Sequence, residues 1–380
     1  MNITKLFSDF FNSEKTGGLI LLFCTAFSLI LSNSGYQEGY IKFWEIIISG
    51  HSITHWINDG LMSIFFLLIG LELEREIYHG ELSKLRNALL PVIAALGGVL
   101  VPAGIYILLN YGSTTQSGAG IPMATDIAFA IGILSLLGSK VPLSLKIFLT
   151  ALAVIDDLFA IIVIAVFYST NISFTFLSVA LAIFVVLLIL NRIKIRNMVP
   201  YLIGGVAMWY CMLNSGIHAT ITGVLLAFAI PFGNGDEKST SHILQHALHK
   251  PVAFLILPVF ALANTCIIFE KGWADGLFSN EGLGIYAGLV VGKPLGILLF
   301  TGLAVITGIC SLPVDVKWKH IIGAGFLAGI GFTMSIFVTL LAFENLAAIA
   351  TAKIAIIFAS LSAGMLGLGW LSLALRKEKT

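Results

Sequence analysis

Residues 149–166 read LTALAVIDDLFAIIVIAV, an apolar run that carries Asp156 and Asp157 side by side near its middle. The run is close to the length of about 20 apolar residues that a transmembrane helix needs. A carboxylate at the centre of such a helix costs about 2.5–3.5 kcal/mol on insertion scales, and a second acid beside it adds to that cost. Because a buried acid contributes no apolar packing, the pair indicates a functional site. The alternative is a pair of acids that stay protonated in a polar crevice.

The composition of the whole chain is that of a membrane protein. Of its 380 residues, 58% are hydrophobic and 11% are charged, so charged side chains are too sparse to cover a surface that faces water. We therefore expect residues 1–380 to form one integral membrane domain in a lipid bilayer. The net charge of +1 gives no electrostatic basis for a nucleic-acid partner. The four cysteines show no CxxC spacing, which predicts buried apolar side chains, neither disulfides nor metal ligands.

Apolar runs separated by short polar turns predict twelve membrane spans. Lys and Arg are enriched in the cytoplasmic loops of membrane proteins. If the N-terminus is placed in the cytoplasm, most of the 21 basic residues fall on the cytoplasmic side, as this rule requires. Both termini are therefore predicted to be cytoplasmic, with residues 33–58 as an external loop and residues 233–250 as a cytoplasmic loop. The predicted spans, numbered 1 to 12 below, cover residues 15–32, 59–78, 88–109, 121–137, 143–168, 173–190, 199–213, 216–232, 247–269, 283–306, 319–342 and 349–374.

Two of these spans contain residues that interrupt helices. Span 4 is short, with Pro122 at its start and Thr125 and Asp126 early in the run, and span 11 reads GAGFLAGIG at residues 323–331. Irregular backbone at membrane depth persists only where it is buried in protein or lines a cavity. The two spans are the middle members of spans 3–5 and 10–12, which predicts inverted-topology repeats and an ion site where the interrupted helices meet. The alternative for span 11 is ordinary close packing of helices.

Several long motifs resemble the NhaA-type sodium–proton antiporters. They extend over nearly the whole chain and read WINDGLMSIFFLLIGLELERE, ATDIAFAIGIL, LKIFLTALAVIDDL, NSGIHATITGVLLAF, GKPLGI and GIGFTMSIF. The resemblance implies twelve transmembrane helices that exchange cytoplasmic Na+ or Li+ for external H+, with more than one proton per cation and with regulation by pH. It also implies a homodimer in the bacterial inner membrane. We expect no cofactor beyond the transported ions.

The aspartate pair explains exchange by competition, because two carboxyl groups in a low dielectric hold either protons or a cation. Na+ prefers several oxygen ligands, and the candidates are the two aspartates, the Thr125 hydroxyl, unwound carbonyl groups and water. By resemblance, Asp157 is the principal cation ligand, and Asp156 is an acid that changes partners, with Lys293 as one candidate. By resemblance too, Asp126 compensates the charge of the half-helix ends, as Lys293 would at the opposite ends. The alternative for Lys293 is a side chain that reaches from a helix end to the membrane surface.

A group of charged residues and histidines predicts a pH sensor on the cytoplasmic face. The histidines lie before the middle of span 9 at positions i, i+4 and i+7, so they share one helical face. The unperturbed pKa of histidine is about 6.5, so a histidine can change charge in the physiological range. The alternative is a solvated helix with interfacial histidines. Gln245 stands where the resemblance leads us to expect a glutamate, which puts the pH profile in question but leaves transport unaffected. The other residues of this predicted sensor are Glu72, Arg75, Glu76, His242, His246 and His249.

Three further features each have two interpretations. His218, in SGIHAT, is either part of the pH sensor or a packed, hydrogen-bonded imidazole. Asp59 is either an acid at a helix start or a residue that lines an external funnel. Residues 45–55, EIIISGHSITH, form either an external β-hairpin, which by resemblance would pair across a homodimer, or a structureless loop.

Two other classes of protein use acids in the membrane. An intramembrane aspartyl protease needs its two aspartates on facing helices, sharing a proton at about 3 Å, whereas Asp156 and Asp157 are adjacent on one helix. A cation channel needs rings of acids or carbonyl groups and has no use for a lysine near the pair. The sequence therefore favours a secondary transporter and not an enzyme.

Overall fold

The computed structural model describes residues 3–83, 85–169, 172–233, 235–269 and 272–376. Within these residues the chain is nearly all helix, and the only strands, Ile47–Ile48 and His51–Ser52, pair with each other. The predicted all-α polytopic fold is thus confirmed. Helices form the spans as follows: Ile3–Ser32; Ile53–His55, Trp56–Leu61 and Met62–Tyr78; Leu85–Asn110; Gln116–Met123 and Ile127–Leu136; Leu143–Phe167; Phe174–Arg192; Val199–Leu213; Ile221–Ala229; Thr240–Pro251, Val252–Ile256 and Leu257–Asn264; Asn280–Ala287, Gly288–Gly292 and Lys293–Ile306; Trp318–Ala328 and Phe332–Ala342; and Leu346–Arg376. Short helices between spans are Gln37–Glu45, Glu81–Ser83, Gly138–Lys140 and Trp273–Leu277.

Most of the predicted spans are long enough to cross a bilayer. In the described part of the chain, eight helices pass that test, and ten pass if each of two bent helix pairs counts as one span. Spans 7 and 8 contain shorter helices of 15 and 9 residues. Span 8 begins later than predicted, because residues before Ile221 form turns and Gly216 has a φ of +81°. Span 9 begins earlier, at Thr240, so residues 240–250 of the predicted loop are helical.

Spans 4 and 11 are interrupted where the sequence predicts. Span 4 is a 3₁₀ helix, Gln116–Met123, followed by non-helical residues 124–126 and an α-helix; the two helices of span 11 meet at 48°. The two interruptions lie against each other, since the Asp126 amide donates to the Ile330 carbonyl at 2.7 Å. A β-carbon at Gly329 would overlap the carbonyl oxygen of Leu289, so this approach of span 10 requires glycine.

In the part of the chain that the structure describes, three spans contain a π-helical turn, namely Trp56–Leu61, Val252–Ile256 and Gly288–Gly292. Such a turn inserts one extra residue and rotates the residues beyond it relative to the rest of the helix. The turn in span 10 ends directly before Lys293, and the turn in span 2 contains Asp59. The π-helical turns therefore help to set the directions of the Lys293 and Asp59 side chains, which would point elsewhere from a regular helix.

Spans 3 and 10 pack with their backbones in contact. A β-carbon on Gly97 would overlap the carbonyl oxygen of Gly296, and a β-carbon on Gly296 would overlap that of Gly97. Small residues permit this close approach in membrane bundles. The next residue, Gly98, faces the side chain of Lys293. The glycine contact therefore fixes the position of Lys293 relative to span 3.

Candidate ion-binding site

The aspartate pair lies in the interior of span 5, Leu143–Phe167, with 1% of Asp156 and 0% of Asp157 exposed. This helix forms because its residues are apolar and uninterrupted by glycine or proline after Pro142. Neighbouring residues on a helix point about 100° apart, so the two carboxyl groups face different surroundings. Because both are closed off from solvent, exchange with either side of a membrane requires a change of conformation.

Asp156 has two polar partners on one of its oxygens. Its Oδ2 lies 2.7 Å from the ammonium of Lys293 and 2.6 Å from the hydroxyl of Thr125. The same hydroxyl lies 2.8 Å from the carbonyl oxygen of Ala328, at the end of the first helix of span 11. Asp156 Oδ1 has no hydrogen-bond partner. One oxygen of this carboxyl group is thus paired with Lys293, and the other oxygen is available to a ligand.

Lys293 is fully buried and joins the carboxyl group to a helix end. Besides Asp156, its ammonium donates to the carbonyl oxygen of Met123, the last residue of the 3₁₀ helix of span 4. Carbonyl groups at a helix C-terminus lack intrahelical donors and carry partial negative charge. Lys293 therefore neutralises one acid and one helix end together.

Asp126 serves the opposite ends of the two interrupted helices. Its Oδ1 accepts from the Phe129 amide at 3.0 Å, which caps the helix Ile127–Leu136. Its Oδ2 accepts from the Thr333 amide at 3.1 Å and from the Thr333 hydroxyl, at the start of Phe332–Ala342. N-terminal amide groups carry partial positive charge and favour an acid. One buried carboxyl group thus satisfies both helix starts.

In the described structure, Asp157 is paired neither with a lysine, as Asp156 is, nor with helix-end amide groups, as Asp126 is. Among the described residues, both of its carboxyl oxygens are buried without a hydrogen bond. The charges that act on it there are Asp156, Asp126 and Glu72, with Lys293 of opposite sign. A buried carboxylate without a partner costs several kcal/mol. The group is therefore driven to hold a proton or to take up a cation.

The oxygen atoms around the pair are of several kinds. Within the described residues, no three His, Cys, Asp or Glu side chains form a group that could hold a metal ion. A cation at Asp157 would therefore add to the two carboxyl groups the oxygens of hydroxyl groups, unwound carbonyl groups or water.

Residues 8–371 match the family model described as Na+/H+ antiporter 1. The chain belongs to this family. It is 66% identical over 379 residues to a Flavobacterium johnsoniae protein named Na(+)/H(+) antiporter NhaA 1, with 100% of both chains covered. It is 64% identical over 367 residues to the Na(+)/H(+) antiporter NhaA of Flavobacterium psychrophilum, covering 97% of this chain and 96% of that one. It is also 45% identical over 381 residues to the antiporter of that name from Vibrio cholerae, covering 99% and 100%.

In this member of the Na+/H+ antiporter family, the residues predicted to sense pH lie together at one end of spans 2 and 9. His249 Nδ1 is 4.0 Å from Glu72 Oε1, with side chains 18% and 15% exposed. His242 lies within electrostatic range of Arg75 and His246. Their role in sensing pH stays a prediction. The remaining predicted members lie on the same two helices and are Glu76 and Gln245.

Asp59 and His218 lie at the end of the molecule that carries the β-hairpin, which we call the hairpin end. Asp59 Oδ2 is 3.1 Å from His55 Nδ1, and His218 acts on Asp59 electrostatically. His218 Nε2 also lies 3.0 Å from the carbonyl oxygen of Tyr168, directly after span 5. The structure therefore separates His218 from the other predicted sensor residues and places it beside Asp59.

Sequence reasoning did not identify several groups that complete the site. Thr333 and the carbonyl groups of Met123 and Ala328 contact its charged or hydroxyl side chains directly. Ser335 donates to the Ile121 carbonyl at 2.7 Å and adds a further link between spans 4 and 11. The signal for the hydroxyl groups was present, because the GIGFTMS run places Thr and Ser directly after the glycine interruption.

Proposed function

We propose that this chain exchanges Na+ or Li+ for H+ by letting the two kinds of ion compete for Asp156 and Asp157. The observation that carries the proposal is the fully buried, unpartnered carboxyl group of Asp157, beside an acid already paired with Lys293. The names of the relatives support the Na+/H+ part of the proposal. The use of Li+ and the assignment to this pair rest on the chemistry of the site.

Because Na+ and H+ compete for the same carboxyl groups, each ion can cross only in exchange for the other, and no further coupling mechanism is needed. A cation that binds between the two carboxyl groups displaces the proton of Asp157 and attracts Asp156 away from Lys293. A returning proton reverses both steps, because a neutral Asp157 no longer holds the cation. The pair titrates as a unit, so the proton count per cation belongs to the pair and not to one aspartate. If more than one proton leaves for each cation, each turnover moves net charge and responds to membrane potential.

The distribution of Lys and Arg supports an orientation with both termini in the cytoplasm and the hairpin end outside. The chain would then export cytoplasmic Na+ across the inner membrane and take up external H+, with no cofactor. The exposed isoleucines of the hairpin, 72% exposed at Ile47 and 51% at Ile48, would pair with a second copy in a homodimer.

The decisive experiment uses everted membrane vesicles with an acid interior and a fluorescent pH probe. Addition of Na+ or Li+ should collapse the acid gradient, and addition of K+ or choline at equal ionic strength should not. Vesicles without the protein give the background. A gradient that survives Na+ and Li+ at every pH tested would contradict exchange, and a collapse produced equally by K+ would indicate a cation channel.

A separate prediction concerns the pH dependence, since Gln245 replaces the glutamate that the resemblance leads us to expect. Gln245 lies on the histidine-bearing helix, three residues after His242 and four before His249. If acids on this face attract protons and hold the site closed at low pH, Gln245→Glu should raise the pH at which activity sets in. The shift should be modest, because exposed charges are screened over about 8 Å at physiological salt.

The measurement is a vesicle activity profile at saturating Na+ from about pH 6 to 9, a range that spans physiological pH. Saturation limits the competition of protons with Na+ at the aspartate pair, which produces pH dependence without any sensor. Gln37→Glu, which adds the same charge at the hairpin end, is the control. Superimposable profiles for Gln245→Glu and the unaltered protein would show that this helix does not sense pH.

A further inference from the structure

Three histidines and one acid gather at the hairpin end, apart from the aspartate pair. His51 lies on the second strand, His55 and Asp59 lie one turn apart in span 2, and His218 comes from the turn before Ile221–Ala229. The imidazole rings of His51 and His55 stack with their centroids 4.2 Å apart and their planes at 17°. His55 Nδ1 lies 3.1 Å from Asp59 Oδ2. The titratable groups that act on Asp59 are these three histidines.

The cluster is partly enclosed by protein. The side chains of His55 and Asp59 are 37% and 18% exposed, and His55 Nε2 is buried without a hydrogen-bond partner. The Asp59 carbonyl group accepts from the indole N–H of Trp209 at 3.1 Å, and Trp56 donates to the Ile48 carbonyl at 2.9 Å. The histidines therefore sit where the hairpin is fastened to the start of span 2.

Protonation has opposite consequences at the two stacked rings. Imidazole titrates near pH 6.5 or so, about the physiological range. A first proton on His55 is favourable, because it forms an ion pair with Asp59. A second proton, on His51, places two like charges face to face at stacking distance and opposes the contact between hairpin and span 2. Charging both rings therefore opposes the stack, whereas charging His55 alone does not.

A set of hydrogen bonds connects His218 with the interrupted span 4. His218 Nε2 meets the Tyr168 carbonyl oxygen, as described above. The Tyr168 hydroxyl donates to the Ser117 carbonyl oxygen at 2.8 Å and accepts from the Gly120 amide at 3.1 Å. Ser117 and Gly120 belong to the 3₁₀ helix Gln116–Met123, whose last carbonyl group binds Lys293. These bonds give a path by which a displacement of His218, which acts on Asp59 electrostatically, would reach the helix that holds the ion site.

We propose that His51, His55 and Asp59 form a second proton-binding site, which senses acidity on the hairpin side and slows exchange when both stacked histidines are charged. This inference rests on the exchange proposed above. The proposal predicts that acid on the hairpin side slows exchange. Mass action alone predicts the opposite, because protons taken up from the hairpin side would raise the rate of exchange.

The binding step is tested without transport, by tryptophan fluorescence of the detergent-solubilised full chain between about pH 8 and 5, across the range in which histidine titrates. Trp56 reports on the site, because its ring lies edge-on to His51 with centroids 6.0 Å apart, and a charged imidazole quenches indole emission. We expect a quenching transition that Trp56→Phe, His51→Gln and His55→Gln each remove. His79→Gln, which removes an exposed histidine from the far end of span 2, should leave it unchanged. A transition that survives both His51→Gln and His55→Gln would overturn the proposal.

The regulatory step is tested in proteoliposomes with Na+ saturating and the pH of the opposite compartment fixed. Acidifying the hairpin side should slow the unaltered protein, whereas His51→Gln should keep its rate in acid and His79→Gln should behave like the unaltered protein. Equal slowing in His51→Gln would refute the regulatory role. If the unaltered protein shows no exchange at all, the proposed function fails, and the fluorescence titration still decides whether the proton site exists.

Discussion

We expect Asp157→Asn to reduce Na+-driven proton movement to the level of vesicles that lack the protein. The amide has nearly the shape of the carboxyl group, but it neither carries negative charge nor releases a proton. Because Asp157 has no hydrogen-bond partner in the described structure, the substitution breaks no contact there and removes an unfavourable buried acid. We therefore expect the variant to insert and to be at least as stable as the unaltered protein. Loss of exchange in a stable protein separates function from folding.

The measurement combines the vesicle assay with a thermal unfolding midpoint in detergent. Asp275→Asn is the matched control, since Asp275 is exposed in the short helix Trp273–Leu277 and the same chemical change there should leave exchange intact. Normal exchange by a well-folded Asp157→Asn variant would remove the central claim of the proposed mechanism. A loss of exchange in both variants would indicate an effect unrelated to the site.

Lys293→Ala has the largest expected effect on stability. The side chains of both partners in the Lys293–Asp156 ion pair are 0% exposed, and removing one partner of a buried pair costs about 3–5 kcal/mol because the other charge is left uncompensated. The change also leaves the carbonyl group of Met123 without its donor. We expect a marked fall in the thermal unfolding midpoint. Lys42→Ala is the control, because the Lys42–Glu38 pair is 68% and 82% exposed and such pairs contribute little.

The double variant Lys293→Ala with Asp156→Asn tests the pairing itself. It should be more stable than Lys293→Ala alone, because no buried acid is then left without a counter-charge. Recovery should stay incomplete, since the Met123 carbonyl still lacks a donor. If the two losses of stability simply add, Lys293 and Asp156 do not interact energetically, whatever their separation.

The sequence predicted the features that depend on local residue types. Proline and closely spaced glycines disfavour regular helix, so the interruptions in spans 4 and 11 could be located from Pro122 and the glycines of residues 323–331 without a structure. Asp156 and Asp157 were conspicuous because acids are rare in apolar spans. The boundaries of spans 8 and 9 were less predictable, because a turn at Gly216 and a continuous helix from Thr240 leave the apolar pattern almost unchanged.

The partners within the site come from tertiary structure and could not be assigned in this way. Lys293 reaches a carbonyl group 170 residues away, and Asp126 accepts from Thr333, 207 residues away. Backbone carbonyl groups carry no signature in a sequence, so those of Met123 and Ala328 were invisible. The stack of His51 on His55 depends on a hairpin that residues 45–55 leave undecided against a loop.

The contact between Gly97 and Gly296 bears on how the molecule can move. Two helices that touch through their main chains cannot easily slide or rotate past each other, so we expect spans 3 and 10 to move together. Lys293 travels with them. A change in the distance between the backbones of spans 10 and 5 during turnover would then report displacement of span 5 relative to this pair of helices.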